Sequence, residues 1–432
     1  MADDLGIGDI GVYGQEIIKT PVIDQLASEG MKFDNFYAGS TVCAPSRAAL
    51  LTGQHTGTTE VRGNGEFPLS ANKKILPEIL KEIGYTNAMF GKWGLGLKGT
   101  TGSPETRGWD QFMGHLHHVD AHFQKPDSLD VIRNGKLVKE NIEKGSFAND
   151  LFTEAAVNFI REQPVDQPFF LYLSFTVPHA ELLVPPRYLK KHLNSKGESI
   201  YKPERAHPEG MHYGSQQHPK AAYAALVESV DDYVSWVLDV LEEKGLEENT
   251  IVIFTSDNGT HVEGGRRLED VEFFKSSGKY KGIKRDLYTS GIKEPFIIKW
   301  PSKIASGTVS YHQAAFWDIY PTLAEITKTS YTEENIDGLS FLPTLLKKGT
   351  QPEHKYLYWE FHESGGKQAV LQGNWKAVRL GVNENRNAPI ELYNLSEDPK
   401  ESNNLAEKYP EKAAEMTLLL DKVRVPNANF NF

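Results

Sequence analysis

An α/β fold with a mostly parallel central sheet is the expectation for this 432-residue chain. Three observations support it. Short, wholly apolar runs recur, too brief for helices and rich in β-branched or aromatic side chains. Helical patterns lie between them, the alternation that gives a sheet flanked by crossover helices. Beyond residue 350 the pattern changes to closely spaced strand-like runs with turn signals. In chain order, a helix starts near Cys43: Pro45 suits a first turn, and Gly53 sits where such a helix would stop. Residues 72–83 form the next helix and 85–90 the first buried strand. A helix over 150–163 precedes a strand over 169–177. The strongest helix covers 221–244, with Leu226, Val230, Val234, Val237 and Leu241 on one stripe and Gly245 as its stop. Strands at 250–255 and 295–300 complete a set of four buried parallel strands. Strands at 355–359, 369–372, 375–380 and 390–395, then a helix over 410–423, make a small antiparallel sheet with one covering helix. The expected division is a catalytic α/β domain, 1–349, and a C-terminal subdomain, 350–432.

Composition narrows the function classes. Hydrophobic residues are 39% and charged residues 24%, the range of a globular protein. The net charge of -11 argues against nucleic acid as a partner. No run is apolar for long enough to span a bilayer as a helix. Oligomeric state is not legible.

The single cysteine opens the run Cys43-Ala44-Pro45-Ser46-Arg47, followed by Ala-Ala-Leu-Leu-Thr-Gly. A lone thiol has no internal disulfide partner. At a helix N-terminus it stands where orphan N–H groups and the macrodipole favour an anion. Arg47, four residues on, shares its face. This points to a reaction centre for an anionic group. Cys-x-Pro-Ser-Arg with a trailing Leu-Thr-Gly resembles the signature of the formylglycine-dependent sulfatases. The resemblance implies an alkaline-phosphatase-like sheet sandwiched by helices. It implies a maturation enzyme that oxidises Cys43 to formylglycine, whose hydrate attacks sulfur.

Ligands in open α/β sheets bind beyond the carboxyl ends of the strands. Lys92 follows the strand at 85–90, His179 the strand at 169–177, and Asp257-Asn258-Gly the strand at 250–255. In the resembling family, Asp-Asp-Leu-Gly follows a further strand, most of which is missing before Met-Ala-Asp3-Asp4; a leader would lie upstream. Asp3, Asp4, Asp257 and Asn258 supply only oxygen donors, which suits Ca²⁺, or Mg²⁺ in a tighter cage, better than zinc. By resemblance these four are the metal cage, joined by Cys43 after conversion. Arg47 then holds the formylglycine, and Lys92, His179 and Lys284 clamp the sulfate. Lys284 stands in Gly282-Ile283-Lys284, where Thr289 and Ser290 replace the family's usual Glu and Gly. Gly94 replaces a histidine common in Gly-Lys-Trp-His.

Substrate contacts are sought in the histidine-dense stretches 113–122 and 190–220 and in the C-terminal region. His122, Arg62 and His362 are the candidates, with Trp359, Glu360 and Glu363 also placed to reach a substrate. The Gly-Lys-Trp-Gly variant, Ala121-His122 and the Asp257-to-Gly265 run resemble a carbohydrate-sulfatase subgroup acting on 4-O-sulfated galactose or N-acetylgalactosamine. The expected partners are a sulfated carbohydrate and the maturation enzyme, and the expected location, by resemblance, is periplasmic or secreted. Two alternatives stay open: a phosphate or phosphonate ester hydrolase of the same superfamily, and an unconverted sulfated-glycan binding protein.

Overall fold

The computed structural model describes residues 1–332 and 336–432. Its strands, in chain order, are β1 (Met31–Phe33), β2 (Phe36–Tyr37), β3 (Thr86–Lys92), β4 (Gln111–His115), β5 (Ser128–Arg133), β6 (Lys136–Asn141), β7 (Phe169–Ser174), β8 (Val252–Thr255), β9 (Phe296–Lys299), β10 (Thr308–Ser310), β11 (Ala314–Ala315), β12 (Leu357–Phe361), β13 (Lys367–Gln372), β14 (Trp375–Leu380) and β15 (Ile390–Asn394). Two half-sheets, β6-β5-β4-β3-β7 and β10-β1-β9-β8, flank the chain start. Residues 1–3 join them: Asp3 N–H donates to Val177 O at 3.0 Å, and Ala2 N–H to Thr255 O at 2.9 Å, both in parallel pairings. Beside this link lies an apolar cavity of about 800 Å³ bordered by Met1, Leu171, Leu173, Ile251, Ile253 and Trp300.

The sheet is parallel across β4-β3-β7, the N-terminal link and β8. One expectation is corrected here: β9 runs antiparallel to both β8 and β1. A strand buried on both faces reads as one apolar run whichever way it points. Its alternation is visible only in the packing. Phe296 and Ile298 enter one core with the helices Cys43–Thr52 and Leu76–Glu82, whereas Ile297 enters the opposite core with the helices Pro21–Glu29 and Pro219–Glu243. Helices thus cover both faces. The four strands β12-β13-β14-β15 form a wholly antiparallel sheet covered by the helix Pro410–Lys422. No helix among the described residues is long and apolar enough to cross a membrane.

Candidate active site

The helix Cys43–Thr52 positions the nucleophile candidate. Every residue in it is buried. Val42 precedes it in an extended conformation and lends no side-chain cap. Asn64 does so from outside, its Oδ1 accepting from the Ala44 N–H at 3.1 Å, which satisfies one of the orphan donors beside Cys43. Gly53 ends the helix at φ 70°, the left-handed conformation glycine adopts freely.

Lys92 is the last residue of β3, His179 lies five residues past the end of β7, and Asp257 and Asn258 follow β8. These ends converge with the N-terminal link. The Cys43 Sγ is 3.2 Å from Asp3 Oδ1 and 3.8 Å from Asp4 Oδ1. Arg47 grips Asp257 Oδ2 through Nε (3.0 Å) and Nη2 (2.7 Å), and donates to the Lys92 carbonyl at 2.7 Å and to Ser174 Oγ. Lys92 Nζ lies 2.7 Å from Asp3 Oδ2, and Lys284 Nζ lies 2.6 Å from both Asp4 Oδ2 and His179 Nε2. Asn258 donates to Asp4 Oδ1 at 2.6 Å. All of the expected nucleophile, cage and clamp residues therefore meet in one buried cluster.

The electrostatics are crowded. Burial opposes ionisation of Asp3, but Lys92, His179, Arg47 and Lys284 outweigh it and hold this carboxyl well below the usual range. Burial and then the Asp3 charge push Asp257 up to about 6, against the pull of Arg47. Burial, and after it the Asp3 carboxylate, push the Cys43 thiol well above its usual range. The buried Asn258 Oδ1 has no hydrogen-bond partner. One ligand atom from each of Asp3, Asp4, Cys43 and Asp257 lies within 4.8 Å of the others. Converging carboxylates with an unsatisfied amide oxygen fit a hard divalent cation.

The chain belongs to the sulfatase family. That family's profile matches residues 1–329, and the C-terminal profile of N-sulphoglucosamine sulphohydrolase matches residues 280–425. The chain is 31% identical to N-acetylgalactosamine-6-sulfatase of Mus musculus over 87% of its own length and 70% of the relative's. It is 28% identical to N-acetylgalactosamine-6-O-sulfatase of Bacteroides thetaiotaomicron over 98% and 92%. A solved structure described with the metabolism of multiple glycosaminoglycans by Bacteroides thetaiotaomicron superposes at TM-score 0.78 with 26% identity, covering 98% of both chains. This sulfatase is accordingly a sulfuric ester hydrolase, with the mixed α/β architecture expected for one.

The substrate candidates separate. His122 joins the site, its ring stacked on His179 at 4.0 Å between centroids. The other two are corrections. Arg62 is buried, and its guanidinium is committed to Thr59 O, Glu360 Oε1 and Val425 O. His362 gives Nε2 to Glu360 at 2.8 Å and stacks on Phe432 at 4.1 Å. Both hold the C-terminal segment in place. Gly94 also has a local reason: its φ of 75° lies in the left-handed region that favours glycine.

Three site residues escaped the sequence reading. Glu263 Oε2 is 3.1 Å from His179 Nε2, and Glu263 Oε1 is 2.6 Å from Arg285. Tyr213 Oη lies 3.2 Å from Glu263 Oε2 and 3.3 Å from His122 Nδ1. Glu263 and Arg285 stood within runs read for Asp257 and Lys284; Tyr213 carried no signal beyond its place in a long loop.

Proposed function

We propose that this sulfatase removes sulfate from galacto-configured sugar units, galactose or N-acetylgalactosamine, of a polysaccharide. The observation that carries the sulfate-ester chemistry is the buried cluster of Cys43, three carboxylates, Arg47, Lys92, Lys284 and His179, and the choice of sugar rests on the relatives' names. The sequence resemblance favours position 4 of the sugar. The names of the murine and Bacteroides relatives favour position 6, which we place first.

In this reading residues 1–349 carry the chemistry and 350–432 cover it. Residue 43, once converted to formylglycine by its maturation enzyme and hydrated to the gem-diol, supplies the attacking hydroxyl. Asp3, Asp4, Asp257 and Asn258 would hold a divalent cation, Ca²⁺ before Mg²⁺, which when bound would supply Lewis-acid stabilisation of negative charge at the reacting oxygens. Arg47 fixes residue 43 from its own helix, four residues away. Lys92 and Lys284 stay cationic: burial works against their charge, but Asp3 and Asp4 outweigh it. They are placed to neutralise the sulfuryl oxygens as charge builds there. As the attacking hydroxyl oxygen of residue 43 bonds to sulfur, the S–O bond to the sugar breaks and His179 delivers a proton to the departing oxygen; the second hydroxyl then expels sulfate as the aldehyde reforms. A periplasmic or secreted location rests on the resemblance.

The test is release of inorganic sulfate from 4- and 6-sulfated galactose and N-acetylgalactosamine, by protein made with an active maturation enzyme. Release from the 6-sulfates first supports the reading, and release from the 4-sulfates alone moves the position. Faster turnover of the matched phosphate esters would replace it with the phosphoester alternative.

A further inference from the structure

The segment between the helices Pro186–Leu189 and Pro219–Glu243 reaches the site. It folds back through reciprocal backbone bonds, His207 N–H to Gln216 O at 2.7 Å and Gln216 N–H to His207 O at 3.0 Å. Gln216 Nε2 donates to Leu182 O at 2.6 Å, and the Gly214 N–H donates to Glu181 Oε2 at 3.1 Å. These contacts fix residue 213 against the turn that carries His179. The Tyr213 hydroxyl lies between two partners, Glu263 Oε2 and His122 Nδ1.

Hydrogen counting assigns the protons. Burial opposes ionisation of Glu263, but His179 and Lys284 outweigh it, so this carboxylate stays charged and only accepts. The tyrosine hydroxyl has one proton to give. With that proton on the bond to Glu263, the contact to His122 forms only if Nδ1 is the donor. A neutral imidazole protonated at Nδ1 leaves Nε2 as a lone-pair acceptor. Burial, and after it the neighbouring His179, Lys92 and Lys284, hold the His122 ring below its usual range, so it stays neutral.

We infer that Tyr213 and Glu263 lock His122 in its Nδ1–H tautomer, so that the pocket for the departing sugar presents a bare imidazole nitrogen to a sugar hydroxyl. The inference rests on the sulfatase reading for the location of that pocket, beside His179. The His122 ring stacks on the His179 ring at an interplanar angle of 24°. The contact, 4.0 Å between ring centroids, sets the His122 ring directly beside the ring that faces the ester oxygen. The site then selects sulfate esters that carry a free hydroxyl donor at that point, and disfavours those in which it is absent or substituted. Tyr213 and Glu263 act through His122 and are positioning residues.

The experiment uses the full chain with Cys43→Ala, so that ligands bind without turnover. Calorimetry compares galactose 6-sulfate, galactose 4-sulfate and cyclohexyl sulfate, which has no hydroxyl. Adding Tyr213→Phe is expected to weaken the tighter sugar sulfate about tenfold, the effect of one hydrogen bond to a buried group, and cyclohexyl sulfate less than about twofold. Nitrogen-15 NMR of the histidine rings is expected to show His122 protonated at Nδ1 alone, and mixed once Tyr213→Phe is introduced. Glu263→Gln is the second variant: it frees the tyrosine proton and is expected to move His122 toward Nε2–H. Equal losses for all three ligands, no loss for any, no binding of a sugar sulfate, or an Nε2–H His122 in the parent protein each overturn the lock. Intact discrimination in a chain that releases no sulfate after maturation instead removes the sulfatase reading and leaves the lock standing.

Discussion

Two buried ion clusters, one around Cys43 and one around Glu360, are built on opposite plans. Around Cys43, three carboxylates crowd together, one of them pushed up to about 6, and an amide oxygen is left without a partner. Around Glu360, one fully buried carboxylate is surrounded by donors: Arg62 and His362 at 2.8 Å, Tyr358 at 2.9 Å and Arg424 at 3.1 Å. These partners overcome the burial cost and hold it down to about 2. The first cluster keeps like charges crowded beside an unsatisfied acceptor; the second is saturated with donors and ties the C-terminal segment to the body of the chain. Residue type does not distinguish them. Saturation of hydrogen bonds and crowding of like charge do.

Mutations should separate the two clusters. The largest effect is expected from Cys43→Ala, which should lower sulfate release by roughly 10⁴-fold or more while the urea midpoint changes little. Dialysis against a chelator comes next. It should lower the rate by about 10²–10³-fold and also lower the melting temperature, with Ca²⁺ restoring both. Lys284→Ala should cost about 10²-fold in kcat/KM, read on a sulfated sugar, by removing one cation from the charge-stabilising set. Glu360→Gln tests the other cluster and should appear in stability. The folded pKa of Glu360 lies below its ordinary 4.5, so its contribution is complete above 4.5 and fades as pH falls from there toward about 2. The shift is worth about 3 kcal/mol near neutrality, and the gap in urea midpoint between parent and variant should narrow below pH 4.5. A gap that widens in acid would put Glu360 in the same class as Asp257.

The sequence showed the first cluster better than the second for a physical reason. Strand ends in a parallel sheet place their next residues at one edge, so Lys92, His179 and Asp257 could be assembled without contacts. No such rule links Arg62 to Glu360, which are distant in the chain, so residue type alone makes Arg62 and His362 look like substrate contacts. The direction of β9 was equally hidden, because burial on both faces removes the alternation that marks a strand's environment. In the loop 190–220 histidine density is no guide to the site: His192 pairs with Tyr201 and Glu228, and His218 with Glu204. Tyr213 reaches the site only through the long-range anchoring of Gln216 and Gly214.

The central claim is that the crowded cluster works through a converted residue 43. Preparations made with graded amounts of maturation enzyme test it directly, by plotting sulfate release against the fraction of residue 43 whose peptide mass matches the aldehyde. The account predicts a straight line through the origin. Full turnover by a preparation whose residue 43 is entirely thiol would contradict it.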